Sequence, residues 1–245
     1  GIENVVGGGN SDFITGNNAA NMLAGGYGHD TLMGGGGNDS LYGDDGNDMI
    51  LAGAGNDVIN GGAGTDTLHY FTAALSGSYT IDLTTGKTTD SLSAKVDTFS
   101  GIENVVGGGN NDRITGNNAA NTLEGRYGHD TLAGGAGTDS LLGGDGNDRL
   151  VGGGGSDTFY FEGVAGAKYT KANTSVRFVD HITDFDAAQD VVRITGLISP
   201  AGQVDVHEMN GHAVIDIDQG TFIDRIIFDT AELEDIQFGV NLFFS

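Results

Sequence analysis

The sequence predicts an all-β chain in four parts: blocks of short stacked strands at 1–69 and 101–160, a hairpin insert at 70–100 between them, and a β-rich C-terminal cap at 161–245. Three observations predict it. A nine-residue period divides residues 7–69 into seven consecutive nonapeptides and 107–160 into six, the signature of small units that bury a core only by stacking. A longer period of 100 residues repeats Gly1-Ile2-Glu3-Asn4-Val5-Val6 unchanged as Gly101-Ile102-Glu103-Asn104-Val105-Val106, and the similarity continues through Asp30 and Asp130. A large unit has been duplicated. After Phe161 glycine thins out and apolar alternation takes over, as in Val191 to Ile194, Val214 to Ile217 and Phe222 to Phe228, which reads as ordinary strands.

Composition removes several function classes. The 245 residues include 45 Gly, 1 Pro, no Cys and no Trp, and 34 acidic against 10 basic side chains leave a net charge of −24. Glycine without proline excludes a collagen-like repeat, and the absence of Cys excludes a disulfide scaffold or a thiolate metal site. The acid excess argues against nucleic acid, whose phosphates require Lys and Arg, and favours cationic ligands. No apolar stretch approaches the ~20 residues that a membrane-spanning helix needs. The chain starts at Gly1, without a charged start and apolar h-region, and is expected to be a fragment or processed piece of something larger.

Within the blocks the pattern is G-G-x-G-x-D-x-U-x, U being a large apolar residue, and the best copies are Gly25 to Met33, Gly34 to Tyr42 and Gly152 to Tyr160. The sixth position holds Asp12, Asp30, Asp39, Asp48, Asp57, Asp66, Asp112, Asp130, Asp139, Asp148 and Asp157, with Asn21 and Asn121 in the second nonapeptide of each block. The eighth position is apolar without exception: Ile14, Leu23, Leu32, Leu41, Ile50, Ile59, Leu68, Ile114, Leu123, Leu132, Leu141, Leu150 and Phe159. The last three residues of each repeat therefore form a short strand whose middle side chain points inward and whose neighbours point outward. The six residues before it form a turn, in which glycine reaches left-handed backbone conformations and lets carbonyl oxygens crowd together. Disorder would not require an apolar residue at every eighth position.

This pattern resembles the RTX (repeats-in-toxin) calcium-binding repeat of type I secreted bacterial proteins, as found in serralysin C-terminal domains and alginate epimerase R-modules, and the resemblance touches nearly the whole chain. It implies two right-handed parallel β-roll blocks, calcium-loaded solenoids in which two nonapeptides make one coil and each turn stacks on the next but one. Ca²⁺ would sit between stacked turns, taking Asp carboxylates and main-chain carbonyls to reach its six to eight oxygens. One edge of the first block would link Asp12, Asp30, Asp48 and Asp66, the other Asn21, Asp39 and Asp57; the second block would link Asp112, Asp130 and Asp148, and Asn121, Asp139 and Asp157. That gives up to nine ions between turns. The turn residues expected to contribute are Gly8, Asn10, Gly25, Gly26, Gly28, Gly34, Gly35, Gly37, Gly43, Gly46, Gly53, Gly55, Gly61, Gly62 and Gly64 in the first block. Their counterparts in the second are Gly108, Asn110, Gly125, Gly128, Gly134, Gly135, Gly137, Gly143, Gly144, Gly146, Gly152, Gly153 and Gly155. The degenerate G-N-x-A-x-N repeat adds Asn17, Ala19 and Asn21 and their duplicates Asn117, Ala119 and Asn121, and the I-E-N segment adds Glu3 and Glu103 as ligands or as solvated edge residues. One buried apolar side chain per nine residues does not offset the ordering of the backbone, and rows of Asp repel one another. The ion-free chain is therefore expected to be unfolded.

In the insert, Tyr79-Thr80-Ile81-Asp82-Leu83 followed by Thr85-Gly86-Lys87 reads as strand, turn, strand, and Asp97-Thr98-Phe99 restores the D-x-U spacing, making Asp97 either a further ligand or a surface Asp. In the cap, Asp180-His181-Ile182-Thr183-Asp184-Phe185-Asp186 resembles the segment after the last repeat of serralysin-like modules, which implies Asp180 as a last ligand and leaves Asp184 and Asp186 open as turn formers. Thr230 to Ile236 reads as a short helix capped by Thr230. Asn241 to Ser245 sits where relatives carry an uncleaved C-terminal secretion signal, and a last strand is compatible with that.

Catalytic motifs are missing: there is no H-E-x-x-H, G-x-S-x-G or phosphate-binding G-x-x-x-x-G-K-[ST], and no Cys. His29 and His129 fall at the variable fifth position and are expected to be exposed. The expected function is a non-enzymatic module that crosses a type I secretion channel unfolded, folds on extracellular calcium, and stabilises or displays the upstream domains of a larger secreted or cell-surface protein. Self-assembly or contact with cell-surface polysaccharide is a variant of that reading. The alternative is an accessory or substrate-binding domain of a secreted epimerase, lyase or metalloprotease, for which Lys168, Lys171, Arg177 and Arg193 form the one cationic cluster available.

Overall fold

The computed structural model describes residues 3–70, 77–92, 95–162, 176–195, 204–218, 223–229 and 242–244. Among them every element is a strand, and the fold is the all-β, parallel stacked roll that the sequence predicts. The strands fall at the ends of the nonapeptides: Phe13–Thr15, Met22–Tyr27, Thr31–Met33, Ser40–Asp45, Met49–Leu51, Val58–Ala63 and Thr67–His69 in the first block. Up to the last strand of the block in each sheet, each pairs in parallel with the strand eighteen residues on. Phe13↔Thr31, Thr31↔Met49 and Met49↔Thr67 run through one sheet, and Met22↔Ser40 and Ser40↔Val58 through the other. Successive nonapeptides thus alternate between two sheets, and two of them close one coil. The eighth-position side chains all point into the space between the sheets and are buried. Their seventh-position neighbours point out, as Phe13 does at 72% exposure.

The insert meets the two sheets differently. In the ten-stranded sheet the roll continues as though nothing intervened: Thr67–His69 pairs in parallel with Asn104–Val106, which pairs with Thr122–Tyr127. In the fourteen-stranded sheet Val96–Ser100 pairs in parallel with Val58–Ala63, then Lys87–Asp90 and Tyr79–Asp82 follow in antiparallel, and Tyr79–Asp82 pairs in parallel with Arg113–Thr115. The predicted strand, turn and strand are present, and they join the two sets of repeats into one continuous stack. The apolar middle residues Ile81 and Phe99 continue the core row, and Tyr70 and Tyr79 stack beside them with centroids 4.7 Å apart.

Beyond the last nonapeptide both sheets carry on. Val176–Ile182 pairs in parallel with Arg149–Gly154, and Val191–Thr195 with Thr158–Glu162. An antiparallel hairpin of Val204–Met209 and His212–Asp218 then packs its second strand on Ile223–Phe228, while Leu242–Phe244 adds to the other sheet. Phe185 seals this end of the core between Phe159 (6.3 Å) and Phe228 (4.9 Å). The helix expected at Thr230 to Ile236 lies outside the described residues.

Candidate metal centres along the roll

Stacking at an eighteen-residue register places the sixth-position side chains in columns, and main-chain hydrogen bonds fix each carboxylate. The N–H of Asp12 donates to Asp30 Oδ1, that of Asp30 to Asp48 and that of Asp48 to Asp66, at 2.7–2.8 Å. On the other edge Asn21 donates to Asp39 and Asp39 to Asp57, both at 2.8 Å. The duplicate blocks repeat this: Asp112 to Asp130, Asp130 to Asp148, Asn121 to Asp139 and Asp139 to Asp157, at 2.7–2.9 Å.

With Oδ1 held, Oδ2 is aimed into the turn. Nine of these oxygens, on Asp30, Asp39, Asp48, Asp57, Asp66, Asp130, Asp139, Asp148 and Asp157, are buried without any hydrogen-bond partner. A buried carboxylate oxygen with neither donor nor cation is strongly unfavourable. Main-chain oxygens converge on the same space. A Cβ added to Gly25 would lie 2.1 Å from Asp30 Oδ2 and 2.7 Å from the carbonyl oxygen of Gly43, one coil further on; one added to Gly134 would lie 2.3 Å from Asp139 Oδ2 and 2.6 Å from Gly152 O. Only glycine leaves that cradle open. Among the described residues no three His, Cys, Asp or Glu side chains converge, so an ion here draws most of its oxygens from the main chain. The donors fit a hard cation of calcium's kind.

The cation-free columns are electrostatically costly. Burial pushes the carboxyls of Asp57, Asp66, Asp139 and Asp148 up to about 6 and that of Asp130 up to about 8, with the N–H donors opposing it and neighbouring acidic groups adding to it. Asp39, Asp48, Asp112 and Asp157 are raised for the same first reason.

The first turns of each block are built differently. Asp12 Oδ2 accepts the N–H of Gly8 (2.7 Å), Asp112 Oδ2 that of Gly108 (2.6 Å), and the Oδ1 atoms of Asn21 and Asn121 accept those of Asn17 and Asn117. Asn17 and Asn117 in turn accept the N–H groups of Ala19 and Ala119. These side chains close their own turns. The Glu3 and Glu103 carbonyls accept from Asn21 Nδ2 and Asn121 Nδ2, and Glu103 Oε2 also takes the N–H of Asp66 at 2.9 Å, the role a sixth-position Asp plays elsewhere. Asp97 takes the N–H of Asp57 and Asp180 that of Asp148. From the third nonapeptide of each block onward, the second and fourth positions have left-handed backbone, so that a Cβ on Gly46 (φ 145°) would lie 1.5 Å from Gly28 O. Asp44 and Arg126 hold the second position in the same region at φ 72° and 79°.

Two contributors, Asp190 and a ladder at the fifth position, were not read from the sequence, which leaves Asp184 open as a turn former. Asp190 takes the N–H of Asp157 at 3.0 Å; its signal was available, since Asp190-Val191-Val192 has the same D-x-U spacing as Asp97-Thr98-Phe99. Asp184 caps the last full turn by accepting from Gly152 N–H (2.9 Å) and Gly153 N–H (2.7 Å). The fifth position carries a second ladder: Ser11 Oγ accepts from His29 N–H, His29 Nδ1 from Asn47 N–H and Asn47 Oδ1 from Thr65 N–H, and the duplicate block repeats it through Asn111, His129 and Asn147. Lys168, Lys171 and the side chain of Arg177 lie outside the described residues, and Arg193 is exposed.

The fold and its carboxylate columns define a class: a parallel roll whose turns present buried carboxylate oxygens between coils. The chain belongs to the RTX calcium-binding nonapeptide repeat family, whose profile matches residues 6–41, 42–70, 97–132 and 124–159, more than half of the sequence. Among solved structures it is similar to the extracellular lipase LipA from Serratia marcescens, at 21% identity and TM-score 0.40 over 95% of this chain; it spans 40% of the length of that lipase. It is also similar to two subunits of the Azotobacter vinelandii mannuronan C5-epimerase. AlgE6R3 shows 26% identity and TM-score 0.39, with 55% of this chain covering 81% of that one, and AlgE6R2 shows 27% and 0.38, with 54% covering 92%. No curated protein matches it in sequence.

Proposed function

We propose that this chain is a non-catalytic module that calcium folds: it passes through a type I secretion route unfolded, meets calcium outside the cell, and closes into the roll that stabilises or displays the protein to which it belongs. The observation that carries this reading is the set of nine buried, partnerless Oδ2 atoms in register. Those of Asp30, Asp39, Asp48, Asp66, Asp130 and Asp139 face a main-chain oxygen across a glycine cradle, so that the folded chain without cations repels itself along the columns. Asp30, Asp39, Asp48, Asp66, Asp130, Asp139, Asp148 and Asp157 would hold the ions, while Asp57 Oδ2 faces the Lys95 ammonium at 3.8 Å. Calcium supplies the positive charge and flexible oxygen coordination that these columns lack. The chain's own residues do the rest: the N–H donors orient each carboxylate, and the eighth-position side chains bring the coils into contact. Ions bound between coils stabilise only the folded state, so each adds about 1.4 kcal/mol when calcium stands tenfold above its dissociation constant. Folding is then a reading of calcium concentration.

Far-ultraviolet circular dichroism through a calcium titration from EDTA to 10 mM, with magnesium as control, tests this. A cooperative coil-to-β transition specific to calcium is expected. A β spectrum unmoved by EDTA, or an equal response to magnesium, overturns it.

A further inference from the structure

None of the thirteen nonapeptides contains a lysine, yet one lysine is buried where the insert joins the stack. Lys95 is 5% exposed, and its ammonium lies 3.1 Å from Asp97 Oδ2 and 3.8 Å from Asp57 Oδ2. It donates a short hydrogen bond to the carbonyl oxygen of Gly53 and stands 5.5 Å from the centroid of the Tyr70 ring. The Tyr70 hydroxyl in turn donates to Asp97 Oδ2 at 2.9 Å and lies 2.8 Å from Thr88 Oγ1. Asp57 is the sixth residue of its nonapeptide, Gly53 the second, and Asp97 the carboxylate of the next rung, fixed by the Asp57 N–H at 2.9 Å. The ammonium is therefore surrounded by two column carboxylates and a turn carbonyl, the same kinds of oxygen that converge without an internal cation elsewhere in the roll.

We propose that the Lys95 ammonium is a built-in substitute for a calcium ion at the Asp57–Asp97 rung, so that this one rung closes without metal. The inference rests on the reading of the other column gaps as calcium sites. A buried ammonium is stable only when paired, and here it has two carboxylates, a carbonyl and an aromatic face. Because it is tethered, its occupancy does not depend on calcium concentration. The ammonium occupies the space between these oxygens that a calcium ion would need to reach them at 2.3–2.6 Å, so the two cations exclude each other. The consequence is a division of labour along the stack. The coils on either side wait for calcium, while the junction between the duplicated halves carries its own charge and holds the insert against the first block at any calcium level. Asp97, which the D-x-U spacing leaves as either a further ligand or a surface Asp, serves the lysine instead.

Counting ions tests this. Calcium bound at saturation is measured by equilibrium dialysis and atomic emission on the unaltered chain, on Lys95→Ala and on Lys95→Ala with Asp97→Asn, each shown to be folded by circular dichroism. The expected result is one more ion per chain in Lys95→Ala than in the unaltered chain, and a return to the original number in the double variant. A folded Lys95→Ala with an unchanged count overturns the proposal, as does a Lys95→Ala chain that saturating calcium cannot fold, since calcium should then take the vacated place. An unaltered chain that binds no calcium overturns instead the reading on which the proposal rests.

Discussion

Asp139→Asn separates a calcium ligand from a structural acceptor, because it should move stability in opposite directions with and without the ion. The side chain is fully buried, its Oδ1 accepts the N–H of Asn121 at 2.8 Å, and its Oδ2 has no partner. Asparagine has the same shape and keeps the Oδ1 bond, but it places an uncharged amide where the lone oxygen was. With calcium tenfold above its dissociation constant, losing one ion removes about 1.4 kcal/mol from the folded state, which lowers the thermal midpoint by roughly 3–6 °C for a chain of this size. Without calcium the sign reverses. Burial raises the Asp139 carboxyl from 3.8 to about 6, which at 1.36 kcal/mol per unit is about 3 kcal/mol against the ionised folded form at pH 7. Screening at a column close to solvent reduces that to about 1–2 kcal/mol, and asparagine escapes it. The assay is thermal unfolding in saturating calcium, set against osmolyte-driven folding in EDTA, where an excluded osmolyte brings the calcium-free chain into a measurable range. The variant should melt earlier in calcium and fold at lower osmolyte concentration in EDTA. Equal losses under both conditions would refute the ligand assignment and leave Asp139 as a hydrogen-bond acceptor only.

Two further outcomes follow from the same geometry. The folded-state carboxyls of Asp57, Asp66, Asp139 and Asp148 stand at about 6 and that of Asp130 at about 8, above the 3.8 of the unfolded chain. The calcium-free fold therefore holds more protons than the coil, and this contribution is complete below pH ~4 and lost as pH rises through ~6 and then ~8. Circular dichroism in EDTA should show more β structure at pH 4.5 than at pH 7.5; the reverse order would contradict the burial of these groups. Gly46→Ala would set a Cβ 1.5 Å from Gly28 O at φ 145° and should cost about 3 kcal/mol or more in saturating calcium. At Gly36 the nearest atom to an added Cβ is Asn18 Oδ1 at 3.5 Å, so Gly36→Ala should stay within ~0.5 kcal/mol. Similar melting shifts for the two would refute the stacking of fourth-position turns on the carbonyl row.

What the sequence made legible is what the fold demands of a particular side chain at every repeat. The eighth position must be apolar because each of Leu23, Leu32 and Leu41 fills the same slot between the sheets, and the sixth calls for an oxygen pair because one atom accepts the N–H of the sixth residue in the preceding coil and the other faces the turn. The fifth position was read as variable because its requirement is weaker: any acceptor of the right reach serves, so Ser11, His29, Asn38 and Asn47 do one job with three residue types. Composition hides a rule that chemistry keeps. The insert was legible as strand, turn and strand from Tyr79 to Lys87, but its effect on the stack depends on pairings such as Thr98 with Val58 and Arg113 with Thr80, which no local pattern encodes.

The same reasoning explains why Asp190 escaped while Asp97 and Asp180 did not. Inside the blocks, spacing along the chain and position in a column are equivalent, since every partner lies eighteen residues away. Past the blocks that equivalence ends: Asp57 reaches Asp97 across 40 residues, Asp148 reaches Asp180 across 32 and Asp157 reaches Asp190 across 33. Membership of a column is then decided by which strand lands on the open edge of a sheet. Val191–Thr195 lands beside Thr158–Glu162, and its register, Thr158 with Val191, sets Asp190 over Asp157 as surely as any repeat would. A carboxylate two residues before a buried apolar side chain is thus a column residue wherever its strand docks in that register, and glycine around it matters only where an ion, instead of a hydrogen bond, must complete it. Asp190 shows the second case: Oδ1 takes the Asp157 N–H and Oδ2 the Asp186 N–H, so the column ends on a carboxylate that the chain itself satisfies.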